Sequence, residues 1–274
     1  MGNCLKTQLK ESVANDSLMK LGEFRVKNKN NVTTTLGFKG TGSITISIIG
    51  SGSIKDFNGN PLTTPYTKML STVDNSLIKM TPGTEISVDK KYGLTYFYCD
   101  GQANVDLDTL FSGSKITQCN INGATNVALS SFSKLPGNIT IFYLSSCTGV
   151  DITDFDKIPS TIVNFTYANL ATAPAIDTTE LSNLAIANLS NLKRLAINGN
   201  INCTGSIVSL AAFIKLLELN IENTVIIGSV EEMLDAMAQN RTSGTLELHL
   251  NNLVTNKHTK VTFTGTGRGW EDVV

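Results

Sequence analysis

Residues able to do chemistry are few in this chain, and their spacing does not bring them together. The two histidines are His249 and His258. His249 falls at an outward position of a short alternating run beside Glu247, and His258 lies in a polar loop with no regular spacing to it. A histidine acting as general base needs a nucleophile or a metal within hydrogen-bond reach, and neither follows from these positions. The carboxylates Asp106/Asp108 and Asp151/Asp154/Asp156 form two groups at corresponding places after strand-like runs. A glycosidase requires two carboxyl groups about 5–10 Å apart across a sugar. Carboxylates that recur with the pattern of the chain fit the capping of turns better. As a calcium loop, Asp-x-x-Asp-x-Asp lacks the glycine and closing glutamate of an EF-hand. Gly265-x-Gly267-x-Gly269 misses the third spacing of the dinucleotide fingerprint and opens no helix of a βαβ unit. Cys4, Cys99, Cys119, Cys147 and Cys203 are widely spaced without a C-x-x-C, which suits neither a disulfide framework nor a zinc site. No catalytic residue, metal site or cofactor is expected.

Composition narrows the classes further. With 22 Lys+Arg against 23 Asp+Glu, a net charge of −1 and a pI near 6.1, the chain is not a generally basic nucleic-acid binder. No apolar run is long enough for a membrane-spanning helix. Asn (27), Thr (33) and Ser (23) dominate the polar side chains, yet 41% hydrophobic content is enough for a folded core. The opening Met1-Gly2-Asn3-Cys4-Leu5-Lys6 is not followed by an apolar signal core. Lys6 stands where a myristoylation pattern needs Ser or Thr. These features suggest synthesis in a cytoplasm with reduced thiols.

The elements that would position any site come from an internal repeat. A shift of 23 residues carries Ile116, Cys119, Ile121, Ala124, Val127, Leu129, Phe132, Leu135 and Pro136 onto Ile139, Phe142, Leu144, Cys147, Val150, Ile152, Phe155, Ile158 and Pro159. A shift of 22 adds Leu94, Phe97, Cys99, Val105, Leu107 and Leu110. Copies start at residues 94, 116, 139, 162, 192, 216 and 245. The stretch Leu181–Ile186 is either an extra short copy or part of a longer connection. Self-similarity at this period marks stacked units that share one apolar interior.

The shared run, apolar-x-x-apolar-x-apolar-x-x-small with Cys147 at the last place, resembles the leucine-rich repeat. That resemblance implies an α+β fold: a leucine-rich-repeat-like solenoid with parallel strands on one face. Ser229-Val-Glu-Glu232 is a capping box ahead of Val230, Met233, Leu234 and Met237 at helical spacing. The run Leu210–Leu217 also reads as helical, and helices argue against the competing parallel β-helix. Residues 1–92, rich in Gly and Thr, read as a small β-rich N-terminal docking or oligomerisation domain. Strand-like runs there cover Glu23–Lys27, Val32–Phe38 and Ser43–Ile49, and Pro82-Gly83 reads as a hairpin turn. The solenoid is expected over 93–264 and a C-terminal tail over 265–274.

Between the inward apolar positions stand strand residues that would face the concave side of the solenoid. They are Tyr96 and Tyr98, Gln118 and Asn120, Ile141 and Tyr143, then Asn164 and Thr166. Arg194 and Asn198, Glu218 and Asn220, and Glu247 and His249 follow. Aromatic rings beside amides suit contact with proteins or sugars, because a ring gives large rigid area at small entropy cost. Ordinary strand propensity of tyrosine is the alternative explanation. The candidate binding residues are therefore Tyr96, Tyr98, Gln118, Asn120, Tyr143, Asn164, Arg194, Glu218, Glu247 and His249.

The opening Asn3-Cys4-Leu5 with Leu21-Gly-Glu-Phe-Arg-Val26 is similar in style to virion appendage proteins, head fibres or tails, of crAss-like phages of Bacteroidales. This resemblance implies a non-enzymatic structural or attachment protein of a virus particle, located in the virion after synthesis in the host cytoplasm. Its partners would be other virion proteins through the N-terminal region and a host-surface protein or glycan, with no nucleic acid and no membrane insertion. A homo-oligomer is implied as well. A bacterial leucine-rich-repeat surface adhesin is one alternative, and a polysaccharide-degrading enzyme on a solenoid scaffold is another.

Overall fold

The computed structural model describes residues 23–28, 32–89, 93–150, 152–170, 175–187, 189–255 and 257–273. Near-regular alternation of apolar and polar side chains forms the first strands, β1 (Glu23–Asn28), β2 (Thr34–Gly40) and β3 (Ser43–Ile49). Then come β4 (Ile54–Asp56), β5 (Pro61–Leu62), β6 (Tyr66–Met69), β7 (Ser76–Met80) and β8 (Glu85–Asp89). Strands β1, β8, β3 and β6 pair antiparallel in one sheet, while β2, β7, β4 and β5 pair antiparallel in another. Phe24 of β1 packs edge-on against Phe97 across the interior, with ring centroids 5.3 Å apart.

The next strands are β9 (Leu94–Asp100), β10 (Ala103–Asp106), β11 (Gln118–Asn122), β12 (Asn126–Ala128), β13 (Ile141–Ser145) and β14 (Asn164–Ala168). They are followed by β15 (Ile176–Asp177), β16 (Arg194–Ala196), β17 (Cys203–Thr204), β18 (Glu218–Asn220) and β19 (Gly228–Ser229). The last are β20 (Thr245–His249), β21 (Val254–Thr255), β22 (Lys260–Phe263) and β23 (Trp270–Asp272). From β9 to β20 the neighbours β9, β11, β13, β14, β16, β18 and β20 run parallel. Their registers place Cys119 opposite Phe97 and Phe142, then Phe165, Leu195, Leu219 and Leu248 in the same row. That row is the inner face, and every member is buried.

The α+β leucine-rich-repeat solenoid expected from the sequence is corrected by the structure. The chain is mainly β, 41% strand against 14% helix, in large mixed sheets that do not close. The thirteen-stranded sheet runs β23-β22-β20-β18-β16-β14-β13-β11-β9-β2-β7-β4-β5, antiparallel at both ends. Among the described residues the α-helices are α1 (Leu107–Phe111), α2 (Thr178–Ala187) and α3 (Val230–Ala238). Among the described residues the connections from β11 to β13 and from β13 to β14 carry none. Phe132–Lys134 and Phe155–Lys157 are three-residue 3-10 turns, and Pro136 and Pro159 follow close behind them. Proline biases the residue before it away from helical angles, which stops a longer helix. Leu210–Leu217, read as helical, instead contributes the end of a 3-10 segment over Ile207–Ala212.

One more sequence expectation changes. Pro82-Gly83 is no hairpin turn: β7 pairs with β2 and β4, whereas β8 pairs with β1 and β3. The turn carries the chain from one sheet to the other. Beyond residue 264 the chain forms β23 on β22. Hydrogen bonding also continues across residue 93, because β2 pairs with β9 and β1 pairs with β10.

Buried rings and amides hold the parallel strands in place. Phe142 stacks on Phe165 at 6.0 Å, and Phe132 wedges between Phe155 at 5.1 Å and Phe165 at 5.9 Å. The buried Asn251 donates to the Ile226 carbonyl at 2.8 Å and accepts from the Leu253 amide at 2.8 Å. Asn200 likewise donates to the Tyr167 carbonyl and accepts from the Leu170 amide. Such side chains satisfy main-chain groups that would otherwise be buried without a partner.

Candidate binding face

The outer face of the parallel strands brings the ten sequence-derived candidates into two adjacent rows. One row runs Tyr96, Gln118, Ile141, Asn164, Arg194, Glu218 and Glu247. The other runs Tyr98, Asn120, Tyr143, Thr166, Ala196, Asn220 and His249. Ala196 holds the place between Thr166 and Asn220, so Asn198, paired with Arg194 in the sequence reading, lies beyond the strand. Parallel neighbours are about 4.8 Å apart. Tyr98 and Tyr143 are therefore separated by about two strand spacings, roughly 9.6 Å, with Asn120 between them.

The antiparallel ends extend the face with residues the sequence reading missed. β2 places Lys39 opposite Tyr96 and Gly37 opposite Tyr98, and β22 places Lys260 opposite Glu247. A third row continues through Asp100, Asn122, Ser145 and Ala168. The repeat shift that aligns Tyr98 with Asn120 also aligns Asp100 with Asn122, so this pair was within reach of the sequence. Lys39 and Lys260 were not, because their antiparallel strands stand outside the repeat and leave no periodic trace.

The two ends of the face differ in charge. At the tyrosine end, Asn122 Nδ2 donates to Asp100 Oδ1 at 2.8 Å. The Lys39 ammonium lies 5.4 Å from the centre of the Tyr96 ring. Burial first, and the Asp100 carboxylate second, push the Tyr98 phenol above its ordinary value, so it stays neutral near pH 7. At the other end the polar groups engage each other: Arg194 Nη2 pairs with Glu218 Oε1 at 3.0 Å, and His249 Nε2 lies 3.4 Å from Glu247 Oε1. Thr166 and Ala196 between them are buried because their short side chains sit below longer neighbours. Gln118 is exposed, while Tyr96, Tyr98, Asn120 and Tyr143 are half-buried. A half-buried ring is held in place yet still presents apolar area.

The groups weighed for catalysis are engaged elsewhere. Asp106 caps α1, accepting from the Thr109 amide at 2.9 Å and its hydroxyl at 2.6 Å. Asp108 accepts from the Ser130 amide at 3.0 Å, and Asp154 from the Phe132 amide at 3.1 Å, tying successive turns together. Asp156 pairs with Lys157, and Asp151 is outside the described residues. His258 Nδ1 lies 2.8 Å from Asp272 Oδ1, and Nε2 lies 3.7 Å from Glu231. Arg268 bridges Glu231 and Asp235, and Trp270 Nε1 donates to Asp235 Oδ1 at 2.7 Å. This cluster fastens β23 to α3. Cys99, Cys119, Cys147 and Cys203 are buried, and burial raises each thiol, Cys203 to about 12. Cys4 and most of the opening resemblance lie outside the described residues. Among the described residues no group of three or more His, Cys, Asp or Glu could hold a metal ion. No helix there is long and apolar enough to cross a membrane.

No family model matches the chain, and no curated protein matches it in sequence.

Proposed function

We propose that this chain is a non-enzymatic attachment protein of a virus particle, and that the outer sheet face around Tyr96, Tyr98 and Tyr143 binds a host-surface protein or glycan. The observation that carries the binding role is the alignment of three tyrosines and two amides, Gln118 and Asn120, on adjacent strands. The rings supply apolar area without rotamer cost, and the amides supply both donors and acceptors. The Arg194–Glu218 ion pair and the His249–Glu247 contact engage the far end, which leaves the tyrosine end as the part with free contact capacity. The particle setting rests on the similarity of the opening residues to phage appendage proteins and on the Asn- and Thr-rich composition.

Two measurements test it. The chain should sediment with purified particles, and appearance in an outer-membrane fraction instead would replace the particle setting with a cell-surface one. Labelled protein should bind intact Bacteroidales host cells, and Tyr96→Ala with Tyr143→Ala should reduce that binding about tenfold or more. Release of reducing sugar from polysaccharide by the pure chain would overturn the non-enzymatic reading.

A further inference from the structure

The first six-stranded sheet ends at β6, whose outer edge has no strand partner among the described residues. In its pairing with β3, Ile44 faces Lys68 and Ile46 faces Tyr66, and the Leu70 amide donates to the Gly42 carbonyl at 2.8 Å. Antiparallel strands alternate the direction of their main-chain groups. Tyr66, Lys68 and Leu70 therefore turn theirs toward β3, while Thr67 and Met69 turn N–H and C=O away from the sheet. Such a row can receive another strand.

Beneath this edge is a groove of about 500 Å³ that lies between the two sheets. Ile44, Ile46 and Tyr66 line it from one sheet, and Phe38, Leu77 and Ile78 from the other. Phe57 at its rim is 58% exposed. Lys68 shares the inward face of Ile44 and Ile46, because residues directly opposite in a pair project to the same side. Asp56 and Asp74 also line the groove, and each carboxylate is hydrogen-bonded within the chain by neutral groups. Asp56 accepts from the Asn60 amide and side chain at 2.8 Å each, and Asp74 from the Ser71 hydroxyl at 3.5 Å. Lys79 sits 4.8 Å from the Phe57 ring centre. Lys68 makes no ion pair among the described residues.

We propose that the β6 edge and its groove bind an extended segment of a partner protein, with a carboxylate opposite Lys68 and apolar side chains two residues to either side of it. Main-chain hydrogen bonds to Thr67 and Met69 give the segment its affinity, and its alternate side chains enter the groove. A second copy pairing β6 with β6 about a two-fold axis through residue 68 is disfavoured, since it sets Lys68 opposite Lys68. This edge shares no residue with the tyrosine face, so either surface can fail without the other.

The test uses the full chain labelled with nitrogen-15 and the capped peptide acetyl-Val-Thr-Glu-Thr-Val-amide, with Lys replacing the central Glu as control. The Glu peptide should shift amides of residues 66–70 and slow hydrogen exchange at Thr67 and Met69. The Lys peptide should bind at least fivefold more weakly, and Lys68→Glu should invert that preference. Thr67→Pro removes the outward donor and the Thr67–Thr45 hydroxyl contact but leaves the main-chain bonds to β3, so it should abolish binding with the spectrum beyond β6 and Thr45 unchanged. Absence of shifts at these amides at millimolar peptide, or equal affinity for both peptides, would overturn the proposal.

Discussion

Replacing Phe132 by alanine should destabilise the chain by about 5 kcal/mol, near the top of the range for a buried phenyl group. The side chain is fully buried in the turn Phe132–Lys134. Its ring centre lies 5.1 Å from Phe155, 5.9 Å from Phe165, 6.1 Å from Phe142 and 6.2 Å from Tyr167. Truncating a buried Phe costs about 3–5 kcal/mol in lost transfer energy and residual cavity. Each aromatic pair adds roughly 0.5–1.5 kcal/mol beyond area burial. Phe142, Phe165 and Tyr167 belong to strands fixed by pairing on both sides, so the cavity cannot collapse. Leucine keeps most of the volume, and Phe132→Leu should cost about 1–2 kcal/mol. Urea denaturation followed by circular dichroism measures both. A loss for Phe132→Ala no larger than that for Phe132→Leu would refute the idea that one aromatic cluster locks neighbouring strands.

Individual contacts set further expectations. Asn251→Ala should cost about 2–4 kcal/mol by the same assay, because it leaves the buried Val254 amide and Ile226 carbonyl without partners. Hydrogen bonding from Arg268, with a further bond from Trp270, holds the Asp235 carboxyl below its ordinary 3.8. Its contribution to stability is therefore complete above about pH 4 and fades as pH falls further. Melting temperatures of wild type and Asp235→Asn should differ at pH 7 and draw together toward pH 2; a constant gap would contradict this. Cys99, Cys119, Cys147 and Cys203 should resist iodoacetamide at pH 8 until the chain unfolds. Because their thiols are raised in the fold, stability should decline as pH rises above 9, where only the unfolded thiols ionise.

The sequence carried the parallel strands because their side chains obey a period. Cys119, Phe142 and Phe165 are inward at one constant spacing, and the same spacing is their register in the sheet. Ser229 with Glu232 announced α3, and the Ser229 hydroxyl accepts from the Glu232 amide at 3.3 Å. The architecture was less legible. Whether a connection such as 132–135 becomes helix or a single 3-10 turn depends on local breakers such as Pro136 and Pro159, which apolar spacing does not weigh. The pairing of β2 with β9, and of β1 with β10, joins segments that lie far apart along the chain. Alternation identified these strands but said nothing about which sheet each would enter, hence the misread turn at Pro82-Gly83. For the binding face, outward positions followed from the same period. The paired charges Arg194 and Glu218, the small Thr166 and Ala196, and the flanking Lys39 and Lys260 needed the register itself.

The most direct test of the tyrosine face is a binding comparison between wild type, Tyr96→Ala with Tyr143→Ala, and a control with Ser112→Ala and Lys134→Ala on the opposite side. All three should melt within a few degrees of one another, since half-buried tyrosines and exposed polar residues carry modest stability. Binding to host cells should fall about tenfold or more in the tyrosine variant and stay unchanged in the control. Equal binding by all three proteins would contradict a role for the outer sheet face in recognition.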